Sequence, residues 1–358
     1  MTSKLRVGVI GVGFGTTVQI PGFQSEGIEV TAVCSRREER AAQAAKEFQV
    51  PDYFTDHRKM LDSKLIDAIS IVTPPELHFP MVIDSLTAGK HVLCEKPFAL
   101  NEVEAGQMCE LALETHLTSM ITHEFRWAPQ RALVKELVDE GYLGDFKFGE
   151  LSLLTGPSDG IQPREFAWGL DSSKGGGFLF ALGSHYIDAL MHWFGKVKTV
   201  NGGAWTKYPD RIIEAEGYGK ATSDDTFHFS LGFDNGGQAS MFGSNVAPFG
   251  QGARISLFGT NGTLILYQPG FNPMPEGVVF GAKVGTEKLA ESPMPKRFTS
   301  LDDNRDGRLA AFRLLVREFV RGINNGESPS PNFLDGFHNQ QILNGILRSS
   351  ETGKRIDL

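Results

Sequence analysis

The apolar run Leu5–Ile10 passes without a break into Gly11, Gly13 and Gly15, and from there into a segment that can be helical. This order of strand, glycine turn and helix predicts the start of a dinucleotide-binding unit. Gly11 permits the tight turn, Gly13 leaves room for a pyrophosphate against the backbone, and the phosphate then sits on free amides at the helix N-terminus, with Phe14 and Thr16 in the same turn. Thr16 stands where the third glycine of G-x-G-x-x-G would fall, so an ordinary glycine-rich turn remains the alternative. A second strand, Glu29–Cys34, follows at the spacing of a βαβ unit, and Ser35 occupies the position of a ribose-binding acid. Ser35-Arg36-Arg37 offers a hydroxyl and two guanidiniums, which suit a 2′-phosphate. NADP is therefore favoured over NAD; the alternative is that the arginines are solvated residues opening the helix Glu38–Phe48.

Further along, a helix-like Lys59–Ser63, a strand Ala68–Val72, a helix Glu76–Ala88 and a strand His91–Cys94 continue the alternation. Strands separated by helices predict a doubly wound parallel sheet with ligands at the carboxyl ends of its strands. Two of those ends carry chemistry. Thr73-Pro74-Pro75 is fixed as an extended turn with His78 on the next helix, and Glu95-Lys96-Pro97 follows the next strand, placing a lysine at the expected cofactor crevice.

At 358 residues the chain is longer than one core usually organises, and the pattern changes near residue 122. We expect a Rossmann domain over 1–122 and an α+β domain over 123–358. In the second part FKFGELSLL, DTFHFSLGF, GQASMFGS, RISLFG and TLILY alternate as half-buried strands, and Asp234-Asn235-Gly236-Gly237 marks a hairpin, predicting a mostly antiparallel sheet. Pro269–Pro295 reads as an irregular loop, and Arg305–Gly326 and Gly336–Thr352 as helices.

The stretch GGGFLFALGSHYIDAL (175–190) begins with three glycines and leads into a helix expected over Leu179–Phe194, on which His185 and Asp188 lie. On its own, His185 reads as a packing histidine. His185, Asp188 and His192 have a spacing that could offer metal ligands on one helix face, but no further ligand cluster accompanies them, and no metal is expected.

G-x-G near the N-terminus, TPPxxH, CEKP, and GGG followed by G-x-H-x-x-D together resemble the glucose-fructose oxidoreductase, inositol dehydrogenase and rhizopine catabolism (Gfo/Idh/MocA) family. FGTNGTLIL and the closing FLDGFHNQQILNGILRSS extend the resemblance over nearly the whole chain. It implies NAD(P)-dependent interconversion of a secondary alcohol and a ketone on a sugar, cyclitol or related polyol. His185 falls at the catalytic histidine and would take the hydroxyl proton as hydride moves to the nicotinamide, with Lys96 holding the substrate oxygen. Gly11, Gly13, Phe14, Gly15, Thr16, Ser35, Arg36, Thr73, Pro74, Pro75, His78, Glu95 and Lys96 are the expected cofactor contacts. Arg126, Arg164 and Trp168 are candidate substrate neighbours. Many members carry an aspartate four residues before the histidine; here Ala181 stands there. Asp188 is the nearest acid in sequence, with Glu124, Asp171 and Glu165 as others. Two further readings follow: a dinucleotide-binding sensor without turnover, suggested by Ala181, or a nucleotide-assisted glycoside hydrolase.

The net charge of −8 offers no basic excess for nucleic acid or an anionic membrane. No stretch has the length of a membrane span or the form of a secretory signal, and the three cysteines read as reduced thiols, so a cytoplasmic protein is expected. The resemblance implies that the second domain has a large, open, mostly antiparallel sheet whose exposed face is used in assembly, so the expected partners are a small-molecule substrate and further copies of the chain, as a homodimer or homotetramer.

Overall fold

In the computed structural model, which describes residues 4–158, 168–213, 217–270, 277–301 and 303–358, the chain forms two compact units. One comprises Met1–Glu124 with Asp303–Gln340, the other Phe125–Asp302 with Gln341–Leu358.

The first unit is built on β1 (Arg6–Ile10), β2 (Glu29–Cys34), β3 (Asp52–Phe54), β4 (Ala68–Ile71), β5 (His91–Cys94) and β6 (Ser119–Ile121). Their order is β3-β2-β1-β4-β5-β6 with every pairing parallel, so the strand order reverses between β1 and β4. Such a reversal opens a crevice at the carboxyl ends of the strands. Val7, Val9, Ile69, Ile71, Val92 and Leu93 are fully buried, as expected for strands covered on both faces. The helix after β1 opens with a π-helical turn, Gly15–Gln19, and continues as α-helix over Ile20–Ser25.

Residues 303–340 belong to this unit because of the helix Leu309–Asn325. Its buried stripe of Leu309, Phe312, Leu315, Val316 and Phe319 needs an apolar partner. Phe312 finds one edge-on to Phe23, with ring centroids 5.6 Å apart. Gly22 makes that approach possible, since a side-chain carbon there would lie 2.4 Å from the Phe312 ring. Arg313 and Arg317 both pair with Glu26, at 2.7 and 2.6 Å.

The second unit contains β7 (Phe146–Leu154), β8 (Val197–Trp205), the two-stranded ribbon β9 (Asp210–Ile213) and β10 (Gly217–Lys220), β11 (Thr226–Phe233), β12 (Gln238–Ser244), β13 (Gly252–Gly259), β14 (Gly262–Gln268), β15 (Val278–Lys283), β16 (Ala290–Glu291) and β17 (Ile356–Asp357). Apart from the ribbon, these strands form a nine-stranded sheet in the order β16-β15-β14-β13-β7-β12-β11-β8-β17. Only β7 and β12 pair in parallel. The hairpin expected at 234–237 joins β11 to β12, with Gly236 in the left-handed region (φ 83°) and Asn235 Oδ1 accepting the Gly237 N–H at 2.9 Å. Within 269–295, read from sequence as irregular, the structure has β15 and β16.

One face of this sheet carries the core. Leu151, Leu153, Phe227, Phe229, Met241, Ile255 and Leu257 are buried there in one cluster with Phe180, Tyr186, Ile187 and Leu190. Burial of each such large side chain is worth about 1.5–3 kcal/mol. The alternate positions include exposed aromatics: Phe148, Trp205, Phe242 and Tyr267.

Candidate active site

In the first unit the glycine turn has two distinct properties. Gly11 is obligatory: its φ is 109°, and a side-chain carbon there would lie 2.3 Å from Val72 O. At Gly13 the same position has no atom within 4 Å, so the backbone is open to an approaching group. Thr16, in place of a third glycine, closes the turn with its hydroxyl, which donates to Gly13 O at 2.9 Å and Val12 O at 3.1 Å. Gly15 packs beside Val9. Above Phe14 lies the guanidinium of Arg308, 4.7 Å from the ring centroid and held by Asp306 at 2.8 and 2.7 Å. Ser35 is half-buried after β2, and Arg36 and Arg37 are exposed. A bare turn open at Gly13, beside a hydroxyl and exposed guanidiniums, fits a dinucleotide.

The two loaded strand ends are tied to each other. His78 is fully buried, with Nε2 2.9 Å from Thr73 O and Nδ1 3.0 Å from Pro97 O. Burial lowers its pKa, so one ring nitrogen donates at a time and the ring links the Thr73-Pro74-Pro75 turn to the loop after Lys96. Glu95 is buried as well. Its Oε1 accepts from Gln19 Nε2 at 2.6 Å and its Oε2 from the Lys96 backbone N–H at 3.2 Å, while Gln19 Oε1 accepts from the Ser70 hydroxyl. Burial raises the Glu95 pKa, and Lys96 draws it back.

Glu124 opens a 3₁₀ turn, Glu124–Trp127, after β6. It is buried, and its pKa is pushed up to about 8, first by burial and then by the charge of Glu95, against the pull of Lys96 and Arg308.

In the second unit His185 lies on the helix Ser184–Phe194, which follows a π-helical segment, Leu179–Gly183. The side chain is buried, and its ring stacks on Phe125 with centroids 3.8 Å apart. Arg131 Nη1 donates to the His185 backbone oxygen at 2.8 Å, and its guanidinium sits over Tyr186 at 4.5 Å. Asp188 and Arg126, both buried, form a two-point ion pair: Nε to Oδ2 at 2.8 Å and Nη2 to Oδ1 at 2.6 Å. Two groups named from sequence, one as a supporting acid and one as a substrate contact, are thus each other's partner.

The glycine run serves an acid that no motif singles out. Asp224 Oδ2 accepts the Leu179 N–H at 2.8 Å, at the head of the segment leading to His185. Gly177, with φ 129°, lets that carboxylate approach: a side-chain carbon there would lie 2.2 Å from Asp224 Oδ1. Burial pushes the Asp224 pKa up to about 7. Asp171 caps its own turn, accepting from the Ser173 N–H and hydroxyl. Trp168 is 40% exposed, while Arg164 and Glu165 lie outside the described residues. Gln19, Phe125, Asp224 and Arg308 had no sequence signal beyond their residue type, since each is placed by the fold.

Among the described residues no group of three or more His, Cys, Asp or Glu side chains is arranged to hold a metal ion, and no helix is long and apolar enough to cross a membrane. Cys34, Cys94 and Cys109 are buried free thiols.

Comparison with known proteins gives matches along the chain. The oxidoreductase family's NAD-binding Rossmann fold matches residues 5–123, and its C-terminal alpha/beta domain matches residues 135–358. An uncharacterized oxidoreductase of Synechocystis is 31% identical over 346 residues, covering 95% of this chain and 92% of its own. The levoglucosan dehydrogenase of Pseudarthrobacter phenanthrenivorans is 24% identical over 410 residues, covering 99% and 98%. A solved structure of levoglucosan dehydrogenase in complex with NADH and levoglucosan has the same fold, with a TM-score of 0.88 at 23% identity and 99% of each chain covered. The parallel sheet with its glycine turn, the mixed nine-stranded sheet and these matches agree: the chain belongs to the Gfo/Idh/MocA family of NAD-binding oxidoreductases.

Proposed function

We propose that the protein is an NAD(P)-dependent dehydrogenase or reductase acting on a secondary alcohol or ketone of a sugar, cyclitol or related polyol. The observation that supports this most is the placement, at the carboxyl ends of β1 and β5 of one parallel sheet, of a turn open at Gly13 and of the Glu95-Lys96 pair. The relative that acts on levoglucosan, by its name, supports a carbohydrate substrate.

Gly11, Gly13, Phe14, Gly15 and Thr16 hold the dinucleotide pyrophosphate, and Thr73, Pro74, Pro75 and Glu95 shape the crevice around it. His78 contributes by fixing two of those loops. A bound nicotinamide supplies the two-electron acceptor. Lys96 places a positive charge on the substrate oxygen and stabilises the alkoxide as it develops. His185 takes the hydroxyl proton, its ring plane set by Phe125. Ser35 and Arg36 favour the 2′-phosphate of NADP, being the polar groups at the end of β2 where an acid would select NAD.

The open sheet face carries self-association into a dimer or tetramer. Phe148, Trp205, Phe242 and Tyr267 are each at least 41% exposed, and Phe148 stacks on Phe258 at 4.7 Å, an apolar surface that a lone chain leaves in water.

Ala181 supports a second reading, a dinucleotide-binding sensor that no longer turns over. A panel of polyols and keto-sugars, each followed by nicotinamide absorbance with NAD and with NADP, separates the two. The enzyme reading expects turnover on at least one compound, faster with NADP; dinucleotide binding with no absorbance change on any compound supports the sensor.

A further inference from the structure

Position 181 offers no carboxylate, and four described acids of the second unit have other work. Asp188 is bound at both oxygens by Arg126. Asp224 holds the Leu179 N–H, and Asp171 holds Ser173. Asp225 accepts the backbone N–H groups of Lys207 and Tyr208.

One acid in the first unit differs from all of these. Glu124 is 3% exposed, and among the described residues its Oε2 is buried without a hydrogen-bond partner. A buried, unsatisfied carboxylate oxygen is costly, so it marks either a held proton or a ligand to come. The charged groups acting on it are Glu95, Lys96 and Arg308. Two carboxyls that repel each other in a buried site do not both ionise easily, and the hydrogen bonds decide which keeps the proton. Glu95 accepts a donor on each oxygen, from Gln19 and from the Lys96 backbone, an arrangement that favours its carboxylate form. Glu124, with its lone oxygen, keeps the proton.

We propose that Glu124 is a proton-holding carboxyl of the Lys96 site, holding and returning a proton beside Lys96. This rests on the reading of Lys96 as a site residue. The step is a proton exchange only, relayed by the water or substrate hydroxyl that fills the space at Oε2: that group receives a proton from Lys96 Nζ as it gives one to the ionised Glu124 Oε2, and the reverse transfer restores all three. Total charge is conserved and no electrons move. Glu124 acts through Lys96 and is a positioning residue for the reaction. Its pKa of about 8 lets both forms be populated near neutral pH.

Two measurements on the full-length protein test this. The first is infrared titration without substrate. With Asp224→Asn in place to remove the carboxyl that titrates near 7, a protonated-carboxyl band should disappear as pH rises through about 8, and adding Glu124→Gln should remove that band. The second is the pH profile of alcohol oxidation. In the wild type the rate should rise with pH through the same range as the acceptor ionises; Glu124→Gln should lose that limb and roughly 10²-fold in kcat, with dinucleotide affinity unchanged.

A band titrating near 8 that persists when Glu124→Gln is added to Asp224→Asn, or an unaltered pH profile in Glu124→Gln, overturns the proposal. If Glu124→Gln does not fold, Glu124→Asp carries the test: it must keep a titrating band while losing rate, and a wild-type rate contradicts the assignment. Absence of any turnover in the wild type overturns the functional reading instead, and the infrared band then decides the proton assignment by itself.

Discussion

His185 lies flat against Phe125, the two rings 3.8 Å apart at their centroids and 10° from parallel. A stacked partner fixes the plane of an imidazole and leaves its nitrogens at the ring edge for proton transfer. Phe125→Leu removes that constraint while keeping an apolar side chain. We expect kcat to fall roughly tenfold with dinucleotide affinity unchanged, and stability to drop by about 1–2 kcal/mol. Steady-state kinetics paired with calorimetry reads both.

The ion pair of Arg126 and Asp188 is buried on both sides, with side chains 4% and 2% exposed. Removing one partner leaves the other charged and without its counter-ion. Asp188→Asn or Arg126→Met should each cost about 3–5 kcal/mol in urea unfolding. The pair replaced together by leucines should cost less than the sum of the two single changes. Equal and additive losses would contradict a coupled pair.

The two glycines of the first turn should behave in opposite ways. Gly13→Ala places a methyl in open space, so its stability should stay within about 0.5 kcal/mol of the wild type. Its dinucleotide affinity should fall at least about tenfold, because the methyl occupies the room a pyrophosphate needs. Gly11→Ala meets Val72 O at 2.3 Å with φ of 109°, and should unfold at lower temperature whether or not cofactor is present. Binding calorimetry and thermal melts distinguish them.

Asp224 gives a pH dependence of stability with a definite sign. Its folded pKa, about 7, lies above the ordinary aspartate range. The folded state therefore binds the extra proton, and the stability this gives is full below about pH 4 and lost as pH rises through about 7. Asp224→Asn keeps an oxygen for the Leu179 N–H and removes the titration. Between about pH 4 and 8 the wild type should lose roughly 2–4 kcal/mol that the variant does not lose at this site. Glu124 contributes in the same direction, so the variant's curve should flatten in part. Parallel curves would show that Asp224 is not held protonated.

How much of this was legible in the chain varies with how local the cause is. Gly11 is readable because a turn between β1 and its helix admits little else, and the parallel sheet follows from buried strands separated by helices. The strand Val197–Trp205 is not legible, because Asn201-Gly202-Gly203 breaks its alternation. Gly202 is there since a side-chain carbon would lie 2.3 Å from His228 O, a reason that exists only once β8 and β11 have paired. β15 was hidden by the prolines and glycines around it. The amphipathic stripe of Leu309–Asn325 announces a helix without naming its partner, so its return to pack on Phe23 could not be read.

The site divides in the same way. Lys96 and His185 stand in motifs, whereas Asp224 and Phe125 act through contacts between segments distant in sequence. Asp188 looked available from its spacing on the helix. Arg126, 62 residues away, takes it up.

The proposed chemistry rests on Lys96 and His185. It is tested most directly by Lys96→Ala and His185→Ala, measured for turnover on the best substrate and, separately, for dinucleotide affinity. We predict that each variant keeps its dinucleotide affinity within a few-fold and loses at least about 10²-fold in kcat. A wild-type kcat in either variant would contradict the account.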